Sequence, residues 1–163
     1  MRSAKVLRIS VTDRCDLRCI YCMPEQGVPL ASMGEMLTYE EIAAVARAAL
    51  GVGVRRFRLT GGEPLARRGV AALVRLLAGL GPDDLALTTN GLRLADFAAE
   101  LKTAGLGRVT VSLDTLRRDR FETITRRSGL DRIFAGIAAA RAAGLAPLKI
   151  NTVVIRGLND DEI

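Results

Sequence analysis

Residues 7–22, LRISVTDRCDLRCIYC, decide the fold, because they join a strand-like segment directly to a cluster of cysteines. Leu7, Ile9 and Val11 alternate with polar residues, which is the period of a strand with one buried face. The cysteines follow with the spacing C-x-x-x-C-x-x-C. Parallel α/β sheets place their functional sites at the carboxyl ends of their strands. The stretch therefore predicts a parallel α/β protein with a metal or redox site in its first loop.

The rest of the chain continues this alternation of strands and helices. Strand-like patterns cover residues 5–11, 55–60, 84–89, 108–113 and 148–155, and helical patterns cover residues 38–50, 69–80, 94–104 and 130–143. Thr38 and Glu41 form a capping-box pattern at the start of the first helix. Repeated βα units predict a parallel sheet with right-handed crossovers.

Most of the predicted strands are apolar on one face only. In the second strand, Phe57 and Leu59 alternate with Arg58 and Thr60, and the first, fourth and fifth strands alternate in the same way. A parallel sheet covered by helices on both faces would give continuous apolar runs instead. We therefore predict a partial parallel (βα) barrel of five strands and four main helices, whose polar face lines a site.

The end of the chain predicts the start of a further helix. Residues 159–163 have Asn159 in the cap position and Glu162 in the third position after it. Five strands alone leave an exposed sheet edge, which proteins usually avoid. We therefore expect residues 1–163 to form one incomplete domain whose C-terminal part is missing.

Composition narrows the class of protein. The net charge is +6, but the basic residues are almost all arginine, which indicates a composition bias more than a nucleic-acid interface. Aromatic residues make up only 4%, too few for a base-stacking platform. Neither a membrane span nor a secretory leader is evident. We expect a cytoplasmic protein that binds neither nucleic acid nor membranes.

The cysteines predict a metal centre. The chain has three cysteines, Cys15, Cys19 and Cys22, and no histidine. An odd, clustered set does not indicate a disulfide framework. Thiolates are the usual ligands of iron–sulfur clusters, and a [4Fe–4S] cube needs four ligands, so three cysteines leave one iron open.

Other interpretations of the cysteines stay open. They could be reactive or structural thiols, or they could bind zinc, whose fourth ligand would be a nearby carboxylate. The candidates for that ligand are Asp13, Asp16 and Glu25.

A second motif, TGGEP at residues 60–64, ends the second predicted strand. Its glycines allow a ligand to approach the backbone closely, and Glu63 could accept a hydrogen bond from an ammonium group. The alternative is a tight strand-to-helix turn with Pro64 near the first helical position.

Together the two motifs resemble the radical S-adenosylmethionine (SAM) superfamily. Tyr21 is the aromatic residue before the last cysteine, and GGEP matches the segment that the superfamily uses for the SAM amino group. Within it, the chain is most similar to the GTP 3′,8-cyclase family of molybdenum cofactor (molybdopterin) biosynthesis. The supporting stretches are residues 7–24, 58–65, 87–92, 109–116 and 149–162.

The resemblance implies a set of ligands. A [4Fe–4S] cluster would bind to the three cysteines, and SAM would bind the open iron. The implied SAM contacts are Tyr21, Gly62, Glu63 and Ser112. The implied GTP contacts are Arg8, Arg58, Thr89 and Lys149. The strand pattern agrees for the three basic residues, which lie on polar faces and are costly there without an anion. The alternative is internal pairing with an acid such as Asp114.

The resemblance also implies the reaction, that of a lyase. A 5′-deoxyadenosyl radical would remove the ribose 3′-hydrogen of GTP, giving (8S)-3′,8-cyclo-7,8-dihydroguanosine 5′-triphosphate. A low-potential electron donor is the implied partner, a homodimer stays open, and a second [4Fe–4S] cluster is expected only in the missing C-terminal half. The alternatives are another radical SAM enzyme, such as a peptide-modifying maturase, and a zinc-stabilised module without catalysis.

Overall fold

Within residues 6–162, five strands form one parallel sheet, in the order in which they occur along the chain. The strands are β1 Val6–Ser10, β2 Arg56–Thr60, β3 Asp84–Thr89, β4 Arg108–Ser112 and β5 Lys149–Asn151. The computed structural model describes residues 6–162, so the predicted strand residue Lys5 and the final residue of the chain lie outside it. The sheet confirms the prediction of a partial parallel (βα) barrel.

In the described part of the chain, five helices connect the strands. They are α1 Tyr39–Gly51, α2 Val70–Ala78, α3 Leu94–Thr103, α4 Arg118–Thr125 and α5 Leu130–Ala142. Three single 3₁₀ turns lie at Met33–Glu35, Pro64–Ala66 and Asp160–Glu162. The predicted capping box is confirmed, because the Thr38 hydroxyl accepts from the Glu41 amide and the Glu41 carboxylate accepts from the Thr38 amide. None of the helices in residues 6–162 combines the length and apolarity needed to cross a bilayer.

Helix α4 is the element that sequence reasoning missed. Its buried residues are Phe121, Ile124 and Thr125, and most of its other side chains are charged. Such a narrow apolar stripe gives little periodic signal. Arg126, the residue directly after the helix, has a φ of 54°, in the left-handed region that side chains rarely adopt.

The core lies between the apolar face of the sheet and the helices. Phe57, Leu59, Leu87, Val109 and Val111 are fully buried strand residues of that face. They form one cluster with buried helix residues: Leu73, Leu77, Leu101 and Ile133. The opposite face is polar, and its register aligns Arg8 with Arg58, Arg58 with Ala86, and Ala86 with Arg108. The predicted division into an apolar and a polar face is confirmed for these strands.

The last strand is shorter than predicted. The pattern predicted residues 148–155, but β5 ends at Asn151. Beyond it the backbone bonds to side chains rather than to a strand: the Val153 amide donates to Asp114 Oδ1 at 2.9 Å. The Thr152 hydroxyl donates to the Leu113 carbonyl at 2.8 Å. Local alternation cannot reveal this change, since it depends on residues that follow β4.

A 3₁₀ turn begins directly after Asn159, as the pattern predicted, but the Asn159 side chain does not cap it. Its side chain is fully buried, and its Nδ2 donates to the carbonyls of Asp114 and Val153 at 2.6 and 2.9 Å. Glu162 likewise does not complete a capping box, because its carboxylate accepts from the Thr115 hydroxyl and the Leu116 amide. Both side chains tie the end of the described chain to the loop after β4.

Candidate functional site: a cysteine loop beside a polar sheet face

The cysteine loop lies at the carboxyl end of β1, beside a cavity of about 570 Å³. All three cysteines border this cavity. The other side is lined by polar residues at the ends of the strands: Thr60, Thr88, Ser112 and Asn151. The predicted position of the site, at the carboxyl edge of the sheet, is thereby found in the structure.

The three cysteines are free thiols. Cys15 and Cys19 are partly buried, and Cys22 is exposed. Burial raises the pKa of Cys19 to about 11, and the charge of Asp114 adds to that effect. Burial also raises the pKa of Cys15. Thiols in such surroundings stay protonated until a metal supplies positive charge, so their ionisation is coupled to metal binding.

The donor set fits a [4Fe–4S] cluster. Three sulfur atoms border one cavity, and the chain has no fourth cysteine and no histidine. A cube bound there would keep one iron for a ligand that is not protein. Within residues 6–162, no three metal-ligating side chains come close enough together to hold a single ion.

The TGGEP segment packs against the start of the cysteine loop. The Gly62 amide donates to the Thr12 carbonyl at 2.6 Å, and the Glu63 amide donates to the Arg14 carbonyl at 2.7 Å. A Cβ at Gly62 would overlap the Arg14 carbonyl oxygen. The glycines therefore let one backbone approach another, and Pro64 begins a 3₁₀ turn, as the turn interpretation predicted.

Glu63 points away from solvent and towards the end of β3. It is 1% exposed, and its carboxylate accepts from the Leu65 amide, the Thr89 hydroxyl and the Asn90 amide at 2.9, 2.7 and 2.7 Å. Burial raises the pKa of Glu63 to about 7, although the three donated hydrogen bonds oppose that shift. The structure gives Glu63 internal partners, and a contact with the SAM amino group stays a prediction.

The other three predicted SAM contacts border the same cavity. Tyr21, Gly62 and Ser112 belong respectively to the cysteine loop, the TGGEP segment and the end of β4. The Tyr21 hydroxyl donates to Asp114 Oδ2 at 2.7 Å, and burial together with this bond raises the pKa of Tyr21. Asp114 therefore links the cysteine loop to the loop after β4.

Three of the four predicted GTP contacts share the polar face of the sheet. Arg8 lies opposite Arg58, and Lys149 lies opposite Thr110 on the edge strand. The Arg58 Nε is buried without a hydrogen-bond partner in the described part of the chain. Among residues 6–162, no ion pair includes any of these three side chains, and Asp114 is engaged by Tyr21 and Val153 instead.

Arg108, on the same face, differs from these three residues because it has an ion-pair partner. Arg108 donates to both carboxylate oxygens of Asp84, at 2.8 and 2.5 Å, and this bond holds the pKa of Asp84 below its usual range. Like charges placed opposite each other on adjacent strands are destabilising. The Arg8–Arg58 pair would therefore gain from a bound anion.

Thr89, the fourth predicted GTP contact, does not lie with the basic residues. It pairs in register with Val111 of the apolar face and is 2% exposed. Its hydroxyl donates to Glu63 and accepts from the Gly91 amide at 3.1 Å. Thr89 borders the cavity, but its hydroxyl is already engaged inside the protein.

Sequence reasoning missed how three polar residues, Asn90, Asp16 and Asp114, organise this site. It considered Asp16 only as a zinc ligand and Asp114 only as a partner of the basic residues. Asn90 donates to Asp16 at 2.6 Å, and Asp114 holds Tyr21. For Asn90, the only signal in the sequence was its position before a glycine, directly after β3. In the structure that glycine, Gly91, has a φ of 86°.

The fold and the site define the class of protein. Residues 9–163 match the model of the Radical SAM superfamily, and the chain belongs to that superfamily. Membership implies a [4Fe–4S] cluster and SAM as cofactors.

Curated relatives narrow the similarity. The chain is 58% identical to a GTP 3′,8-cyclase of Pelotomaculum thermopropionicum and 55% identical to one of Moorella thermoacetica. Each match covers 99% of this chain and 50% of the relative. The chain therefore spans about half the length of the curated relatives it matches.

Solved structures share the fold. Methylornithine synthase superimposes with a TM-score of 0.76 and 19% identity, over 99% of this chain and 48% of that one. Streptococcus suis SuiB bound to S-adenosylmethionine superimposes with a TM-score of 0.72 and 20% identity, over 93% of this chain and 34% of that one. At these identities the similarity shows a shared fold alone.

Proposed function

We propose that this chain is the cluster-binding and SAM-binding part of a GTP 3′,8-cyclase of molybdenum cofactor biosynthesis. The whole protein would be a lyase that converts GTP to (8S)-3′,8-cyclo-7,8-dihydroguanosine 5′-triphosphate. The observation that supports this most directly is one polar sheet face that borders the three-cysteine loop and, within residues 6–162, carries basic side chains without ion-pair partners. The names of relatives that are more than half identical agree with it.

Cys15, Cys19 and Cys22 would hold the cluster. With the cluster and SAM bound there, the site would supply the radical chemistry that removes the ribose 3′-hydrogen of GTP. The protein orients both ligands, and the half-buried position of Cys15 and Cys19 limits the access of water to the centre.

Tyr21, Gly62, Glu63 and Ser112 would contact SAM. Tyr21 and Gly62 border the cavity from the cysteine loop and the TGGEP segment, and Ser112 borders it from β4. Glu63 directly follows Gly62, but its carboxylate faces the end of β3. Asp114 holds Tyr21 in place through its hydroxyl. Because these contacts come from segments joined by hydrogen bonds, the SAM side of the cavity is organised before a ligand binds.

Arg8, Arg58 and Lys149 would bind the triphosphate of GTP. All three lie on the polar face, and the buried Arg58 Nε is a donor that lacks a partner in residues 6–162. A triphosphate offers enough acceptor oxygens for all three side chains. Thr89 would act mainly through Glu63 and Gly91, and a direct contact with GTP would require its hydroxyl to exchange a partner.

Two further elements belong to this proposal. A low-potential electron donor would reduce the cluster, and a homodimer is compatible with it. The reaction would take place in the cytoplasm, where the three free cysteines stay reduced.

Anaerobic reconstitution tests the metal centre. We expect about four irons and four sulfides per chain, and loss of both in Cys19→Ala. Saturating SAM should then change the electron paramagnetic resonance spectrum of the reduced cluster, because one iron lacks a protein ligand. Stoichiometric zinc without sulfide would contradict the assignment, and a spectrum that SAM leaves unchanged would contradict SAM binding.

The same material tests the choice of substrate. GTP should protect the reconstituted chain from proteolysis in the loops that border the polar face, and guanosine without phosphates should not. Protection by neither compound would favour another radical SAM reaction over the cyclase.

A further inference from the structure

Asn90 is the residue through which the end of β3 reaches the cysteine loop. Its Nδ2 donates to Asp16 Oδ1 at 2.6 Å and lies 4.0 Å from the sulfur of Cys15. We infer that Asn90 is a positioning residue for the iron–sulfur cluster, which fixes the Cys15 end of the loop and directs an N–H towards that thiolate. This role rests on the proposed function, because it takes Cys15 as a cluster ligand.

Hydrogen bonds at the oxygen and at the nitrogen of the Asn90 carboxamide fix its orientation. Its Oδ1 accepts from the Leu92 amide at 3.0 Å, and its Nδ2 faces the Asp16 carboxylate. An amide group reversed at this position would place its oxygen against a carboxylate and its NH₂ against an N–H donor. The N–H of Asn90 therefore points to the cysteine loop.

The backbone of Asn90 is also anchored. Its amide donates to Glu63 Oε2 at 2.7 Å, and the same carboxylate accepts from the Thr89 hydroxyl. Asn90 is only 9% exposed, and Gly91 after it has a φ of 86°. A Cβ at Gly91 would lie 3.0 Å from a methyl carbon of Val111, so this turn leaves little freedom. Asn90 thus offers the loop a fixed donor rather than a mobile one.

Cluster chemistry explains why a fixed donor matters. Hydrogen bonds to cluster sulfurs and to the groups beside them set the orientation of the ligands and the reduction potential. Reduction adds negative charge to the cluster, and an N–H dipole that points to Cys15 Sγ stabilises that charge. Loss of Asn90 should therefore loosen the Cys15 end of the loop and make the cluster harder to reduce.

Asn90→Asp isolates this effect. It keeps the size of the side chain and the acceptor for the Leu92 amide, but it replaces the donor with an oxygen that repels Asp16. We expect the reconstituted 163-residue chain to lose iron to a chelator about tenfold faster than the wild type. We also expect the reduced-cluster signal to appear at a more negative potential in a redox titration.

The double variant Asn90→Asp with Asp16→Asn separates the two roles. It restores one donor–acceptor pair in the reverse direction and keeps the net charge of the wild type. Iron retention should return towards the wild-type rate, while the potential stays more negative because no N–H faces Cys15. Gln26→Glu, an exposed amide-to-acid change in the segment after the cysteines, controls for added charge and should retain iron normally.

The outcomes distinguish this role from the proposed function. Wild-type protein that takes up no iron would overturn the cluster assignment and this role with it. Normal retention and an unchanged potential in Asn90→Asp would overturn the role of Asn90 alone. If the single variant unfolds and Asp16→Asn does not rescue it, Asn90 supports the fold in general and the inference is wrong.

Discussion

The cysteine loop and the basic residues of the polar face differ in how many bonding partners the chain itself gives them. The cysteine loop is held from several directions, by the TGGEP backbone, by Asn90, by Asp114 and by the end of α4. There the Arg18 amide donates to the Thr125 carbonyl at 3.0 Å, and the Ile20 amide donates to Ile124 at 2.9 Å. On the polar face, Arg8, Arg58 and Lys149 lack ion-pair partners within residues 6–162. The cluster side is preorganised, whereas the triphosphate side needs its ligand.

We therefore expect SAM cleavage and GTP cyclisation to depend differently on how much of the protein is present. We expect the reconstituted 163 residues to cleave SAM slowly under strong reductant but to give no cyclised GTP. A radical formed without an aligned C3′–H would lose the proximity contribution, on the order of 7–11 kcal/mol at most. Chromatography of the products against a longer protein with the same N-terminal residues checks this. Cyclisation by the 163 residues alone would contradict this difference between the cluster side and the triphosphate side.

The pH dependence of the unfolding free energy tests how much the buried Glu63, on the cluster side, contributes to folding. Its pKa is about 7 in the folded protein against 4.5 for the free group, so protonation of Glu63 favours folding. This contribution is complete below pH 4.5 and is lost as the pH rises through 7, by roughly 3 kcal/mol in total. Glu63→Gln does not titrate, so its unfolding free energy should fall less between pH 5 and pH 8. Denaturant unfolding of the metal-free chain measures it, and equal pH slopes in both proteins would contradict the prediction.

The variant Arg58→Ala tests the triphosphate side. Arg58→Ala should weaken GTP binding by roughly tenfold or more, because a hydrogen bond between charged groups is lost. The loss should shrink as the salt concentration rises, since salt screens the same interaction. Arg75→Ala, an exposed change on α2, is the matched control and should bind GTP normally. Calorimetric titration at two salt concentrations measures both, and equal affinities in the two variants would argue against a triphosphate site on this face.

The smallest effect concerns Tyr21. Tyr21→Phe removes one hydrogen bond to Asp114 and should lower stability by about 1 kcal/mol or less. Tyr39→Phe removes a comparable bond, from the Tyr39 hydroxyl to the Arg68 carbonyl at 2.8 Å, away from the cysteine loop. Only the Tyr21 variant should also weaken SAM binding, as followed by the spectrum of the reduced cluster. Equal SAM affinity in the two variants would show that the Tyr21 hydroxyl is not needed to hold the loop.

Local sequence patterns were sufficient for the features that depend on neighbouring residues. The alternation in β1, β2 and β4 predicted the polar face, and the Thr38–Glu41 pair predicted the start of α1. The spacing of the cysteines predicted a metal site at the end of β1, because side chains in one loop are close in space whatever the rest of the fold. The resemblance of the two motifs then indicated the superfamily to which the chain belongs.

Only the tertiary structure decided which side chains support that site. Asn90 and Asp16 are 74 residues apart, Tyr21 and Asp114 are 93 apart, and no periodicity relates such pairs. Asn159 has the local pattern of a cap but is buried among the loops after β4 and β5, where its side chain bonds to the carbonyls of Asp114 and Val153. Helix α4 has too few apolar residues to be recognised locally, and its contacts are with distant segments: its end bonds to the cysteine loop and Phe121 packs in the core. Hydrogen-bond partners are set by the proximity of segments distant in the chain, which local sequence patterns do not record.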